Sequence, residues 1–388
     1  MTVWTNRSLA MVVLAAAVVF AVAARGPLGA ASQVTGRLMF VGTYTGPASK
    51  GIYAFRFAEN SGALTPLGLV AETPSPSFVI GSADGRLLFA VNEVSNYRGE
   101  PAGSVSSFSV DRATGKLTLI NTESTHGADP CHLALDRTGR FLAVANYSGG
   151  NFAIFPVAVD GRLGPASQVL TRNGSGANRA RQDAPHAHAV VFDAANRFLV
   201  AADLGTDRLV TYAFDEKTGT ATPSSETALP PGSGPRHFAF HPTRPEGFSI
   251  NELASTIATF GWEAPQGRLT LRGTPVRTLP QDFKGDNSTA EIAVHPNGRF
   301  LYGSNRGHDS IAVFSISATG TLALVEHEPT RGETPRNFAI DPTGRWLIAA
   351  NQKTNTLAVF AIDQQQGRLS PVGDLVSVGA PVSILFPR

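Results

Sequence analysis

Residues 136–146 read DRTGRFLAVAN, and this stretch decides the fold because it recurs along the chain. Similar stretches occupy residues 82–92, 193–203, 241–251, 295–305 and 341–351. Each copy except that at 241–251 has an arginine at its fifth position, and every copy ends on Asn or Asp. Recurrence at such intervals is the sequence signature of a repeat protein.

A glycine turn recurs once in each unit, at intervals of 46 to 58 residues. The seven glycines are Gly62, Gly115, Gly161, Gly219, Gly267, Gly320 and Gly367. Segments between them, such as Ile311–Ile316, are rich in β-branched and aromatic residues, as strands are. Units of about 50 residues with roughly four strands have the size of propeller blades. We therefore predict an all-β, seven-bladed β-propeller with four-stranded antiparallel blades; a β-solenoid is the alternative, although its coils are usually shorter.

The two ends of the chain predict how the ring closes. The first unit begins at Leu38–Val41 without a preceding strand of the repeated type, and Val382–Phe386 resembles that missing strand. We expect the C-terminal strand to complete the first blade, which removes the open sheet edges that promote aggregation. The predicted propeller domain spans residues 37–388.

Composition excludes several classes of protein. Hydrophobic residues make up 42% of the 388-residue chain, which is too many for a disordered protein. The formal net charge is +2 and no long Lys/Arg run occurs, so we expect no nucleic-acid partner. Cys131 is the only cysteine, which rules out an internal disulfide and a cysteine-ligated zinc site.

Residues 1–24 are typical of a secretory signal peptide. Arg7 precedes an almost wholly apolar run from Leu9 to Ala24, and Ala21–Ala23 fits a small-residue cleavage site. We expect an exported protein, periplasmic or secreted, with no membrane span in the mature chain. An uncleaved N-terminal anchor is the alternative.

The repeated hairpin predicts which polar side chains meet. The first two strands of each unit are joined by the D-x-x-G-R turn, so residues 16 apart should be neighbours at one blade edge. The pairs at this edge are Ser77 and Glu93, Cys131 and Tyr147, His188 and Leu204, Arg236 and Glu252, Ala290 and Arg306, and Arg336 and Gln352. These positions differ between units whereas the strand interiors repeat, which indicates a site assembled from several blades.

Four of these residues form the predicted catalytic set, namely His188, Arg236, Glu252 and Arg306. Two guanidiniums can bind a carboxylate or phosphate, or stabilise an oxyanion. Glu252 or His188 can activate water as a general base. The alternatives are a structural ion pair between Arg236 and Glu252, and a purely hydrogen-bonding role for His188.

A second set is predicted to bind substrate, namely His132, His186, His237, Glu291, Arg336 and Asn337. Four of its members directly follow strand starts, and strand alternation turns them toward the opposite face, so they are weaker candidates. His186 and His188 are two residues apart without an obvious carboxylate partner, which is a weak metal-ligand pattern. We predict no metal and no cofactor.

Several stretches resemble a known family. They are Gly42–Thr45, Gly234–Phe238, Asn251–Leu253, Ser304–Ile311 and Thr334–Phe338. Together they are similar to the motifs of the seven-bladed propeller lactonases, which include bacterial 6-phosphogluconolactonase and are related to carboxy-muconate cyclase. The resemblance covers residues 37–388. It implies a metal-independent lactonase whose site, in the central channel, consists of a His, an Arg, a Glu and a second Arg.

These residues map by motif onto His188, Arg236, Glu252 and Arg306, with His186 as the alternative histidine. The implied partner is a small-molecule lactone. Since phosphorylated sugar lactones arise in the cytosol, an exported enzyme would meet unphosphorylated aldonolactones or another cyclic ester instead. The alternatives are a non-catalytic binding or scaffold propeller and a muconate-type cycloisomerase that holds a dicarboxylate with the same arginines. The oligomeric state is left open.

Overall fold

The computed structural model describes residues 36–387 and, before them, only Met1 and Trp4. The predicted signal segment, residues 1–24, therefore lies outside the described residues apart from those two. In the part of the chain that is described, no helix has the length and apolar character needed to cross a membrane.

The described residues form 28 strands and one 3₁₀ turn. The first three blades contain β1 (Arg37–Thr43), β2 (Gly51–Phe57), β3 (Leu64–Glu72), β4 (Val79–Gly81), β5 (Leu87–Asn92), β6 (Ser104–Val110), β7 (Leu117–Ser124), β8 (Pro130–Leu135), β9 (Phe141–Asn146), β10 (Asn151–Pro156) and β11 (Gln168–Thr171). The next two contain β12 (Ala187–Phe192), β13 (Phe198–Asp203), the 3₁₀ turn η1 (Leu204–Thr206), β14 (Arg208–Asp215), β15 (Thr220–Ala228), β16 (Pro235–Phe240), β17 (Glu246–Asn251), β18 (Thr256–Glu263) and β19 (Arg268–Arg277). The last two contain β20 (Ser288–Val294), β21 (Phe300–Arg306), β22 (Ser310–Ile316), β23 (Leu322–Pro329), β24 (Pro335–Ile340), β25 (Trp346–Asn351), β26 (Thr356–Ile362) and β27 (Leu369–Ser377), and β28 (Pro381–Leu385) follows.

The strands pair into seven four-stranded antiparallel sheets, which confirms the predicted propeller. The last strand, β28, pairs with β1, so that Ile384 lies opposite Val41 and completes the first blade as predicted. The innermost strands β28, β4, β8, β12, β16, β20 and β24 each contact the next around the ring. Their starts therefore lie together around one axis.

Apolar packing between blades holds the ring together. Seven buried clusters combine side chains of adjacent blades, such as Phe89 of β5 with Leu142 of β9 and Phe155 of β10. A fully buried phenylalanine contributes about 1.5–3 kcal/mol. This packing fits a chain whose only cysteine, Cys131, is free and buried.

The repeated residues of the D-x-x-G-R turn have structural roles. In the fourth blade, Asp193 Oδ1 accepts hydrogen bonds from the backbone amides of Arg197 and Phe198, at 2.7 and 2.8 Å. Arg197 Nη2 donates to the carbonyl of Ala264 in the next blade, at 2.9 Å. The repeated Asn, such as Asn305, donates to the carbonyl of a residue that precedes its own blade. The motif recurs because most blades use the same turn and similar links to their neighbours.

Candidate functional site

β-Bulges at the starts of the innermost strands set the direction of the side chains. In β16 the pairing register shifts between Pro235 and His237, and equivalent shifts occur in β8, β12, β20 and β24. A bulge places two residues opposite one and so breaks strict alternation. As a result His237 Nε2 lies 3.2 Å from Arg236 Nη1. The expectation that His237 faces away from Arg236 was therefore wrong.

Glu252 stands at the centre of a group of arginines. Its Oε2 contacts Arg236 Nε at 2.9 Å and Arg306 Nη2 at 2.8 Å. Its Oε1 accepts a hydrogen bond from Arg181 Nη2 at 2.7 Å. We call these four residues the Glu252 cluster. The neighbours predicted from the 16-residue spacing, Arg236 and Glu252, are thus in contact, and Arg306 of the next blade joins them.

Charge balance keeps Glu252 ionised. Burial raises the pKa of this carboxyl, but the charges of Arg306 and Arg236 outweigh burial and hold the pKa at about 2. Burial also lowers the pKa of Arg306 to about 10, against the attraction of Glu252. Both groups therefore remain charged at neutral pH, and the carboxylate is a weak base.

His188 provides a neutral imidazole close to this cluster. Its side chain is buried on β12, with Nδ1 3.7 Å from Cys131 Sγ and its ring 5.3 Å from that of His237. Burial, followed by the charge of Arg236, holds its pKa well below 6.5. Burial raises the pKa of the Cys131 thiol, so that group stays protonated. An uncharged imidazole can accept a proton, which a thiol with a raised pKa does not do at neutral pH.

A buried chain of hydrogen bonds runs from Arg236 through His237 to the neighbouring blades. His237 Nδ1 lies 3.0 Å from Glu291 Oε1, and Asn337 Nδ2 donates to the other oxygen of Glu291. Asn337 Oδ1 in turn accepts from the amide of Ile384 in the C-terminal strand, at 2.9 Å. Burial raises the pKa of Glu291 to about 7. The chain thus links Arg236 to three further blades.

His132 joins the same buried layer. Its ring lies 5.0 Å from that of His237 and 4.2 Å from that of Phe78. Burial, then the neighbouring His237, lowers its pKa well below 6.5. Of the predicted substrate-binding residues, four therefore form a supporting layer, namely His132, His237, Glu291 and Asn337.

Arg336 belongs to a second group. Its guanidinium lies over the ring of Tyr44, 5.2 Å from the centroid, and its Nη2 is 3.8 Å from Glu93 Oε1. Tyr44 donates its hydroxyl to the same oxygen at 2.7 Å. Burial lowers the pKa of Arg336, but charge interactions with Tyr44, Glu93 and Glu252, in that order, outweigh burial and raise it. The contacts of Tyr44 were not predicted, although its motif was noted.

Both ring nitrogens of His186 lie close to polar atoms of neighbouring residues. Its Nδ1 lies 3.1 Å from the carbonyl oxygen of Tyr147 and its Nε2 lies 3.3 Å from Asp183 Oδ1. The ring stacks on Tyr147 at 4.6 Å. Both nitrogens therefore have protein partners, which favours His188 as the histidine that is available for chemistry. Among residues 36–387, no group of three or more His, Cys, Asp or Glu side chains could hold a metal ion.

Arg181 was not predicted from the sequence. It lies in the irregular segment between β11 and β12, outside every repeated motif. The sequence does contain one indication of an inserted segment. The interval from Gly161 to Gly219 is the longest between the repeated glycines, at 58 residues. An insertion in one repeat often carries function.

Comparison with known proteins identifies the family. The model of the family "Lactonase, 7-bladed beta-propeller" matches residues 38–386. The 6-phosphogluconolactonase of Bacillus subtilis is 35% identical over 348 residues, which cover 89% of this chain and 97% of that protein. The 6-phosphogluconolactonase of Formosa agariphila is 35% identical over 308 residues, covering 77% and 85%.

A solved structure of a related protein supports the same family assignment. The periplasmic gluconolactonase of Pseudomonas aeruginosa superimposes with a TM-score of 0.83 at 34% identity, and the match covers 90% of this chain and 98% of that one. With this overlap in sequence, length and fold, the chain belongs to the lactonase family of seven-bladed β-propellers.

Proposed function

We propose that the chain hydrolyses a sugar-type lactone at the Glu252 cluster, in the central channel and without a metal ion. One observation carries the proposal. A carboxylate that pairs with the guanidiniums of Arg236 and Arg306 lies close to a buried neutral imidazole, His188, at the starts of the innermost strands. Such a site can bind a carbonyl oxygen, stabilise negative charge and accept a proton.

The reaction needs one water molecule. His188 removes a proton as the water oxygen attacks the lactone carbonyl carbon, and Arg236 and Arg306 stabilise the resulting oxyanion. The tetrahedral intermediate then breaks the bond between the former carbonyl carbon and the ring oxygen. His188 returns the proton to that oxygen, so the product is a hydroxy acid and the imidazole is neutral again.

Glu252 serves chiefly to orient the arginines. Both oxygens of Glu252 already pair with arginines, which hold its pKa at about 2, so we assign the proton transfer to the uncharged imidazole of His188. With both Arg236 and Arg306 on Oε2, the carboxylate holds the two guanidiniums in one place before substrate arrives. Such preorganisation is what makes charge stabilisation effective.

The relatives support a lactone as substrate and favour hydrolysis over a non-catalytic scaffold. Two relatives are named 6-phosphogluconolactonases and one a periplasmic gluconolactonase. The last name is in accord with the proposed export of this chain. Metal independence is supported by the chemistry of the cluster, in which the guanidiniums of Arg236 and Arg306 can stabilise the oxyanion in place of a metal ion.

Acid release from lactones in a pH-stat tests this function. The purified protein, treated with a chelator, should accelerate hydrolysis of glucono-δ-lactone or 6-phosphogluconolactone, and His188→Asn should lower kcat about 100-fold or more. His186→Asn is the matched control and should retain most activity. Muconolactone formation, assayed in parallel, detects a cycloisomerase. Absence of any lactone hydrolysis, or equal activity of His188→Asn and wild type, would contradict the proposal.

A further inference from the structure

Arg181 differs from the other arginines of the Glu252 cluster in the exposure of its side chain and in the type of backbone segment that carries it. The side chains of Arg236 and Arg306 are 3% and 13% exposed and project from strands, whereas Arg181 is 43% exposed and projects from an irregular segment. Its Nη2 bonds to Glu252 Oε1 at 2.7 Å and to Tyr147 Oη at 3.1 Å. Glu252 keeps its contacts with Arg236 and Arg306 if Arg181 moves away, so Arg181 can change its partner without leaving the buried carboxylate unpaired.

The backbone beneath Arg181 is fixed by the residue that follows it. Gln182 is fully buried, and its Nε2 donates to the carbonyl of Leu204 and to Asp207 Oδ1, both at 2.8 Å. Its Oε1 accepts from the amide of Asn178 at 2.9 Å. The side chain of Arg181 can therefore move while its attachment point stays in place.

The Glu252 cluster carries an excess of positive charge that can attract an anion. Three guanidiniums surround one carboxylate, so two positive charges have no partner within the cluster. Arg236 and Arg306 each also donate to a backbone carbonyl, of Ala290 and Thr289, respectively. Within residues 36–387, protein atoms engage only the Nη2 of Arg181. Its Nε and Nη1 are therefore free, and because the side chain is 43% exposed these donors can reach a ligand in solvent.

We propose that Arg181 makes the enzyme selective for lactones that carry an anionic substituent. In the free protein it covers Glu252, and on binding it transfers its hydrogen bonds to that substituent. It does not touch the reacting carbonyl, so it acts as a specificity-determining residue. The inference rests on the proposed lactonase function.

The test compares Arg181→Met with wild type on three lactones at pH 7. Glucono-δ-lactone is neutral, 6-phosphogluconolactone carries a phosphate, and glucaro-1,4-lactone carries a carboxylate. A hydrogen-bonded charge pair accounts for about tenfold in binding or more, so kcat/KM for an anionic lactone should fall about tenfold, mainly through KM. The neutral lactone should change little, and Arg181→Lys should recover part of the loss.

Arg179→Met provides a matched control, because Arg179 is an exposed arginine of the same segment. It should leave all three rates unchanged. In wild type, salt should lower kcat/KM for the anionic lactone, and this dependence should weaken in Arg181→Met. A loss confined to the phosphorylated or to the carboxylated lactone identifies which group Arg181 binds.

Two outcomes would overturn the inference and leave the lactonase function intact. One is a wild-type enzyme that hydrolyses only the neutral lactone. The other is an Arg181→Met variant that loses the same factor on all three lactones, or on none. A wild-type protein inactive on every lactone would instead refute the proposed function itself.

Discussion

Replacing Glu252 by glutamine removes the charge at the centre of the cluster and keeps the shape of the side chain. Glutamine resembles a protonated glutamate, so the effect follows from the pKa of Glu252. Burial raises that pKa, but Arg306 and Arg236 outweigh it, and the result is about 2 instead of the ordinary 4.5. The difference corresponds to about 3 kcal/mol of stability from the ionised form. We expect Glu252→Gln to lower the free energy of unfolding by about that amount at pH 7.

The pH dependence has a definite sign. The pKa in the folded state lies below that in the unfolded state, so this stability is present above pH 4.5 and is lost as the pH falls through about 2. The stability difference between wild type and Glu252→Gln should therefore shrink on acidification. Hydrolysis should also slow about 100-fold, because Arg236 and Arg306 lose their common partner.

Urea-induced unfolding at pH 7 and at acidic pH measures this difference. Glu263→Gln is the matched control, since Glu263 pairs with Arg268 in the same blade but is exposed. Its effect should be much smaller. Equal losses of stability for the two variants, or a Glu252→Gln deficit that does not depend on pH, would refute the reasoning.

Three other predictions concern stability and reactivity. Burial raises the pKa of Glu291 to about 7, so the stability from its protonated form is complete below pH 4.5 and is lost as the pH rises through 7. The free energy of unfolding of Glu291→Gln, measured with urea, should therefore rise by up to about 3 kcal/mol relative to wild type between pH 5 and pH 8. A difference that stays constant with pH would contradict this. Asp193→Ala removes the acceptor of three backbone amides and should cost about 2 kcal/mol in the same assay with KM unchanged. A change in KM without loss of stability would argue against a purely structural role. Iodoacetamide at pH 8 should not inactivate the folded enzyme, because burial raises the pKa of Cys131, and rapid inactivation would show that the thiol is accessible.

The fold could be predicted because its determinants repeat. Asp136 and Asp341 accept hydrogen bonds from the same two amides of the turn as Asp193 does, and Arg140 and Arg299 donate to a carbonyl of the next blade as Arg197 does. The C-terminal strand was identifiable because Val382–Phe386 resembles the other innermost strands and pairs as expected. Repetition converts short-range patterns into a reliable count of blades.

The site could be predicted only in part. The 16-residue spacing brought Arg236 and Glu252 together because the hairpin turn fixes which residues face each other. The bulge beside His237 depends on how the strand pairs and left no sign in the sequence, so side-chain direction was misjudged. Arg181 was missed because its segment does not repeat, and its contact with Glu252 joins residues 71 positions apart.

A crystal structure of the protein with gluconolactam, a lactam that resembles the lactone but resists hydrolysis, tests the central claim most directly. We predict that its carbonyl oxygen lies within hydrogen-bonding distance of Arg236 or Arg306, with its carbonyl carbon on the side that His188 can reach through one water molecule. Binding of the lactam away from these side chains, at saturating concentration and with the Glu252 cluster unchanged, would contradict the account.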